Sequence, residues 1–314
     1  MKPSAHVIAA ILLLGGGQQQ VVDPDFKPRV DKPAYARNAP TVAFDEAHSN
    51  THTAGGLYKP FADLLTADGY RVTASAHKFE TRTFEGVRVL VVANANAHNF
   101  TDPAFTEPEC DAVRDWVRDG GSLLLISDHA PFGTSAANLA RRFGVDMGKG
   151  WVFEPTRGSL TTQLVFSRDN GLLGTHPILS GRDASEEVKT VRSFTGQSLS
   201  VPAQATAILK LSPNAREAPT TDDLDAEAAA RSANAPTGTP GAHSAGVDGR
   251  AQGVALAFGR GRVVVLGEAA LFSAQIVTLD AAGRRVMKVG MNMPGNDDRQ
   301  FALNVLHWLS RLID

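Results

Sequence analysis

One cysteine, Cys110, stands in 314 residues. An internal disulfide is impossible, and so is a zinc site built from several thiolates. A net basic field is also missing, since 31 Lys and Arg face 33 Asp and Glu for a formal charge of −2. Nothing in that balance favours a phosphate backbone, so no nucleic-acid partner is expected. The apolar run near the N-terminus, Val7 to Leu14, is far short of the roughly 18–20 residues that span a bilayer, and no transmembrane helix is expected. A phosphate loop is absent as well. Phe44-Asp45-Glu46-Ala47-His48 looks like the Walker B box of a DEAH-type helicase, but no GxxxxGK[ST] precedes it. The only Gly-Lys, Gly148-Lys149, lies downstream and is followed by Gly150. Helicase and ATPase chemistry are excluded, and no nucleotide cofactor is expected.

What is present is an ordinary globular composition, 43% hydrophobic and 20% charged. Lys2, the apolar run and Gly15-Gly16-Gly17 read as a secretory signal over residues 1–17. Leu14-Gly15-Gly16-Gly17 resembles a lipoprotein lipobox with Gly17 where lipidation needs Cys. The expected location is therefore outside the cytoplasm, in the periplasm or cell envelope. Residues 18–40, rich in Pro and Gln without apolar period, are expected to form a flexible tether. A single α/β domain is expected over 41–314, with a mobile insertion at about 213–250, where Ala, Pro, Thr, Gly and Asp dominate.

From Thr41 onward strand and helix signals alternate. VAF (42–44), Tyr70 to Ala74, VRVLVVA (87–93) and SLLLIS (122–127) are strand-like, and the last two are continuously apolar, as strands buried on both faces should be. Leu57, Phe61, Leu64 and Leu65 have helical spacing, as do Val113, Trp116 and Val117, and later Phe301, Val305, Leu306 and Leu309. Gly253 to Phe258 and Gly261 to Gly267 predict a hairpin about Gly259-Arg260. This alternation predicts an α/β, doubly wound, mostly parallel sheet with a C-terminal β-hairpin and helix. Right-handed crossovers then bring the carboxyl ends of the parallel strands to one rim, where such sheets bind ligands.

Polar clusters follow four of these strands. The densest is Asp45-Glu46-Ala47-His48-Ser49-Asn50-Thr51-His52. The others are Asn94-Ala95-Asn96-Ala97-His98, then Asp128-His129, then Glu268. His48 and His52 are four apart, and with Asp128 they form a candidate three-ligand site for a divalent metal, zinc first. Glu46, His129 and Glu268 are candidate acid/base groups. Asn50, Asn94, Asn96 and His98 are candidate substrate-binding groups, although asparagines also suit sharp turns. Without a metal, Asp128 or Ser127 at a strand-to-helix elbow is a candidate nucleophile. His176 and His307 are expected to be structural.

Several segments together resemble one family. They are FDEAHSNTHTAGGLYKPFADLLTADGYRV, VLVVANA, VRDWVRDGGSLLLISDHAPFG, SFTGQSL, FGRGRVVVLGEAALFSAQ and NDDRQFALNVLHWL. They look like the bacterial GldG-like branch of the class I glutamine amidotransferase-like superfamily, over most of Thr41 to Leu312. The resemblance implies a flavodoxin-like sheet. Glutamine amidotransferases carry a nucleophilic Cys in a GxCxG elbow, whereas the matching position here reads SDHAPFG. Glutaminase activity is not expected. The expectation is an exported hydrolase-like protein acting on a small polar or sugar-like substrate. The alternative is a non-catalytic envelope module that binds a glycan or peptide.

Overall fold

The structure, a computed structural model, describes residues 20–97, 99–232, 243–278 and 286–314. Its centre is a seven-stranded sheet built from β1 (Thr41–Asp45), β2 (Arg71–Ser75), β3 (Val89–Ala93), β4 (Ser122–Ile126), β5 (Ala205–Lys210), β6 (Ala251–Phe258) and β7 (Gly261–Leu266). In space the order is β5-β6-β7-β4-β3-β1-β2. β2, β1, β3, β4 and β7 are mutually parallel, and β6 runs antiparallel to both of its neighbours. The five parallel strands therefore follow the 2-1-3-4-5 order of flavodoxin-like sheets, whose switch point lies between the first and third strands.

β1, β3 and β4 are buried along their whole length, which explains the apolar runs VAF, VLVVA and LLLI within them. Alternate side chains leave opposite faces. Val42, Phe44, Val89 and Val91 pack beneath α1 (Lys59–Ala67) and the final helix α4 (Asp298–Leu309), with Phe61, Leu64, Leu65 and Phe301. Ala43, Leu90, Val92 and Leu123 pack beneath α2 (Glu107–Arg118) and α3 (Phe132–Arg141), with Val113, Val117 and Leu139. Each fully buried large apolar side chain contributes about 1.5–3 kcal/mol.

Local signals set the element ends. Thr106 and Glu109 form a reciprocal capping box at the start of α2, satisfying two orphan N–H groups. The β6–β7 turn passes through Gly259 at φ 58°, where a Cβ would lie 2.7 Å from the Arg118 carbonyl oxygen. Both the backbone angle and the close approach call for glycine there.

Two sequence expectations are corrected. Within the expected tether, Gln20–Val22 adds an antiparallel strand to Ala274–Thr278, which also pairs with Val286–Gly290. Farther along, the Ala34 N–H donates to Asp68 Oδ1 at 2.8 Å, the Tyr35 N–H donates to the Asp68 carbonyl, and Phe26, Val30 and Tyr35 pack on the core. A strand edge and a helix-end carboxylate supply the partners that a chain without apolar period needs. The expected mobile insertion is also largely ordered. Arg216–Ala218 pairs with Trp151–Thr156, and a helix spans Thr221–Arg231. Leu224 and Ala218 share a small core with Trp151, Phe153 and Leu160. Residues 233–242 of that segment and the signal-like 1–17 lie outside the described residues.

Candidate functional site

The polar segments do meet at the carboxyl rim, but they divide into two sets. After β1 the chain turns through Ser49 at φ 50°, and the two histidines that flank this turn part company. His48 goes to the α2 side. Its ring lies between Phe79 and Phe105, with centroids 4.5 and 4.6 Å away. Nδ1 faces both Asp45 oxygens at 2.8 and 2.9 Å, and Nε2 faces Glu109 Oε1 at 2.9 Å. Each nitrogen thus faces a carboxylate at hydrogen-bond distance, and neither is open to a metal. Burial alone would raise the Glu109 carboxyl. The hydrogen bond from His48, aided by those from Thr106, outweighs it and holds that group down to about 2.

His52 goes to the α1 side, where its ring meets Tyr58 edge-on at 4.7 Å. Burial lowers its pKa to about 4, against the pull of the Asp128 charge. The tautomer follows from its neighbour. The Asp128 N–H donates to Asn94 Oδ1 at 2.9 Å, which fixes that amide, so Asn94 Nδ2 donates to His52 Nδ1 at 3.2 Å. The remaining His52 proton therefore sits on Nε2, for which the described residues provide no hydrogen-bond partner.

Asn94 sits at φ 46°, a region that asparagine tolerates. Its carbonyl accepts from the Thr51 N–H at 3.1 Å, so this one residue ties the β1, β3 and β4 ends together at the switch point. Asn50 is a brace: its Nδ2 donates to Asp45 Oδ2 and to the Ala93 carbonyl. Asn96 donates its N–H to the His48 carbonyl, while its Oδ1 is buried without a partner.

Asp128 is held at several points. Besides its N–H bond to Asn94, its carbonyl accepts from Gln197 Nε2 at 2.8 Å. Its Oδ1 accepts from the His129 N–H at 2.8 Å and from Thr195 Oγ1 at 3.2 Å. Oδ2 alone is left without a partner among the described residues. Gln197 also holds the Ser127 carbonyl at 2.8 Å and accepts from the Lys149 N–H. Gly133 makes room for it, because a Cβ there would fall 2.2 Å from Gln197 Oε1.

The candidate acid/base groups divide as well. Glu46 Oε1 accepts from the Ala54 N–H at 3.0 Å and so caps the turn before α1. His129 stacks on Trp151 with centroids 3.3 Å apart, and its Nδ1 faces the Ala130 carbonyl. Burial lowers its pKa, opposed by Asp128. Glu268 is wholly buried and accepts N–H bonds from Ala270 and Leu271. Burial first, then the Asp128 charge, raise its carboxyl well above the usual range despite those two donors. The same causes raise the Tyr58 phenol, with Glu268 contributing too.

The three-ligand zinc expectation is therefore corrected. His48, His52 and Asp128 do not converge, and no group of three His, Cys, Asp or Glu side chains among the described residues is placed to hold a metal ion. The loop twist after β1 sends the two imidazoles to opposite sides of the sheet. His98 lies outside the described residues. His307 is structural, as expected: it is buried, with Nε2 2.8 Å from Asp68 Oδ2. His176 caps the short helix Pro177–Ser180. Sequence reading missed Tyr58, Glu109, Thr195 and Gln197. Only Glu109 carried a local signal, the Thr106-x-x-Glu109 capping box.

No family model and no curated protein matches this chain. Among solved structures it is similar to the mmIFT52 N-terminal domain, with 15% identity, 86% of this chain and 97% of that one covered, and a TM-score of 0.57. It is more distantly similar to a ThuA-like protein from Bacteroides uniformis, at 12% identity over 89% and 93% of the two chains and a TM-score of 0.43. The exo-beta-1,4-mannosidase Op5Man5 from an Opitutaceae bacterium also aligns, at 11% identity over 74% of this chain and 32% of that one, with a TM-score of 0.37. At such identities the first likeness concerns the fold alone.

Proposed function

We propose that the carboxyl rim is a metal-independent recognition site for a small hydroxyl-bearing ligand of sugar type. The observation that carries this reading is the state of Asp128. Its N–H, its carbonyl and Oδ1 are all engaged, and Oδ2 is left free beside the switch point. His52 supplies a complementary Nε2–H, held in place by Asn94. A fixed acceptor and a fixed donor need little reordering on binding, which favours affinity. The partly open His129 ring, backed by Trp151, adds a flat surface beside them.

The test is saturation-transfer NMR against a panel of mono- and disaccharides, with wild type, Asp128→Asn and His52→Gln. Binding by the wild type that falls at least about tenfold in Asp128→Asn is expected, since hydrogen bonds to a charged group are worth roughly 1.5–3 kcal/mol, with a smaller loss in His52→Gln, which removes a neutral donor. Saccharide binding that survives Asp128→Asn would sink the proposal.

A second reading is favoured by Glu268. A carboxyl whose pKa burial and a second carboxylate push up is one way in which sites separate acid from base. In that reading Asp128 activates water and the rim hydrolyses its ligand without a metal. Turnover of chromogenic glycosides or esters, abolished in Asp128→Asn, would select it. The 2-1-3-4-5 strand order supports kinship with the glutamine amidotransferase-like fold, again as a proposal. The signal-like segment would place either activity in the cell envelope.

A further inference from the structure

The opposite edge of the sheet carries a second feature that the rim chemistry does not use. At the amino ends of β3, β4 and β7 lies a cleft of about 680 Å³. That size falls in the range of small-molecule sites. Arg88, Arg260, Arg262 and Arg311 line it, against one lining carboxylate, Asp119. They come from three separate segments: Arg88 just before β3, Arg260 and Arg262 in the β6–β7 hairpin, and Arg311 after α4. Their convergence is therefore tertiary and cannot be read as a run of basic residues.

The four guanidiniums are unequally compensated. Arg260 pairs with Asp119 at 3.5 Å, both well exposed. Arg262 pairs with Asp314 at 2.7 Å and donates to the Trp308 and Ile313 carbonyls. Arg88 donates only to the Gly120 carbonyl at 3.3 Å, and neither Arg88 nor Arg311 takes part in an ion pair among the described residues. Arg311 also sits at φ 69°, an uncommon backbone angle for its type. Partial burial, then the charges of Arg262 and Arg88, lower its pKa, with the Asp314 charge opposing them. Like charges gathered in a concave site repel one another unless an anion joins them. Arginine forks suit the oxygens of phosphate better than any other side chain.

We propose that this amino-edge cleft binds a compact phosphate-bearing anion, with Arg88 and Arg311 as its main donors and Arg260 and Arg262 framing it. The site is separate from the carboxyl rim and does not depend on the function assigned there. A net charge of −2 for the whole chain makes the local excess a property of the cleft rather than of the protein.

Calorimetric titration with inorganic pyrophosphate at fixed ionic strength tests it, using wild type, an Arg88→Gln/Arg311→Gln double variant and an Arg29→Gln control. Arg29 is an exposed residue paired with Asp31 away from the cleft. A saturable isotherm for wild type and control, weakened at least about tenfold in the double variant, is the expected result. A second arm floats the protein with phosphatidylcholine vesicles that carry a phosphorylated inositol lipid. Arg-dependent binding to free pyrophosphate assigns a soluble phosphate. Arg-dependent binding to vesicles alone assigns a lipid headgroup carrying the same chemistry. Binding in neither arm, or binding that the double variant leaves unchanged, overturns the proposal. Circular dichroism of the double variant confirms that any loss is not unfolding.

Discussion

His48 and His52 are the same residue type, four positions apart in one loop, and the fold gives them opposite lives. His48 is clamped between Asp45 and Glu109 with a carboxylate facing each ring nitrogen. His52 is held neutral against Tyr58 and Asn94, with one nitrogen to spare. The first surrounds its imidazole with charge and so uses it as a structural pin. The second surrounds it with neutral donors and apolar surface and so keeps it available. An imidazole takes its role from what its two nitrogens meet, and a spacing of four does not fix that.

Removing the pin should have the largest effect. His48→Ala would leave two buried carboxylates without their shared donor, and breaking a buried pair typically costs 3–5 kcal/mol. Urea unfolding measures this directly. A loss below about 1 kcal/mol would mean that the Asp45–His48–Glu109 link contributes little and that the two histidines differ less than their contacts indicate.

Acid unfolding sharpens the contrast because the two environments titrate in different windows. His52 has an ordinary value of 6.5 and a folded value of about 4. Between these, the unfolded chain binds the proton that the folded chain refuses, so stability falls as pH drops from 6.5 towards 4. The displacement corresponds to roughly 3 kcal/mol. His52→Gln should flatten that part of the stability profile. Glu109 is depressed from 4.5 to about 2. Its contribution is complete above 4.5 and is lost as pH falls through 2. Glu109→Gln should flatten only that lower window. If both variants changed the same window, the division of the loop into two environments would be wrong.

The smallest effect is expected at the joint between the rim strands. Asn94→Ala would remove the bonds to the Asp128 N–H and to His52, and would place alanine at φ 46°. A loss of about 1–3 kcal/mol is expected from the buried donor left unpaired. Hydrogen exchange should rise at Asp128, whose N–H the Asn94 side chain holds, more than at Thr51, whose N–H is held by the backbone carbonyl that alanine keeps. Asn94→Asp keeps the acceptor for Asp128 but offers no amide proton to His52. It should therefore restore protection at Asp128 and leave the His52 ring with the Thr51 hydroxyl as its remaining partner at Nδ1, 3.1 Å away, a change that the imidazole NMR signals report.

Periodicity in the sequence carried the sheet. Strands buried on both faces must be continuously apolar, so VLVVA and SLLLI announce themselves, and helices with one buried stripe repeat every three or four residues. The same reasoning placed Asp45, Asn94, Asp128 and Glu268 just past strand ends on one rim, because parallel crossovers leave them nowhere else. The tether and insertion were misjudged because their order comes from distant partners: Asp68, Ala274–Thr278 and Trp151–Thr156.

Side-chain partnership could not be read in advance. Whether an imidazole meets two carboxylates or an amide depends on Glu109 arriving from α2 and Asn94 from β3, each more than 40 positions along the chain. The same holds for Gln197 beneath Asp128 and for the four arginines of the amino-edge cleft. Sequence determined which residues end the strands, since backbone pairing and apolar burial act over a few neighbouring positions. Only the tertiary structure decided which polar atoms are spent and which are free, since that depends on angles and distances between segments far apart in the chain.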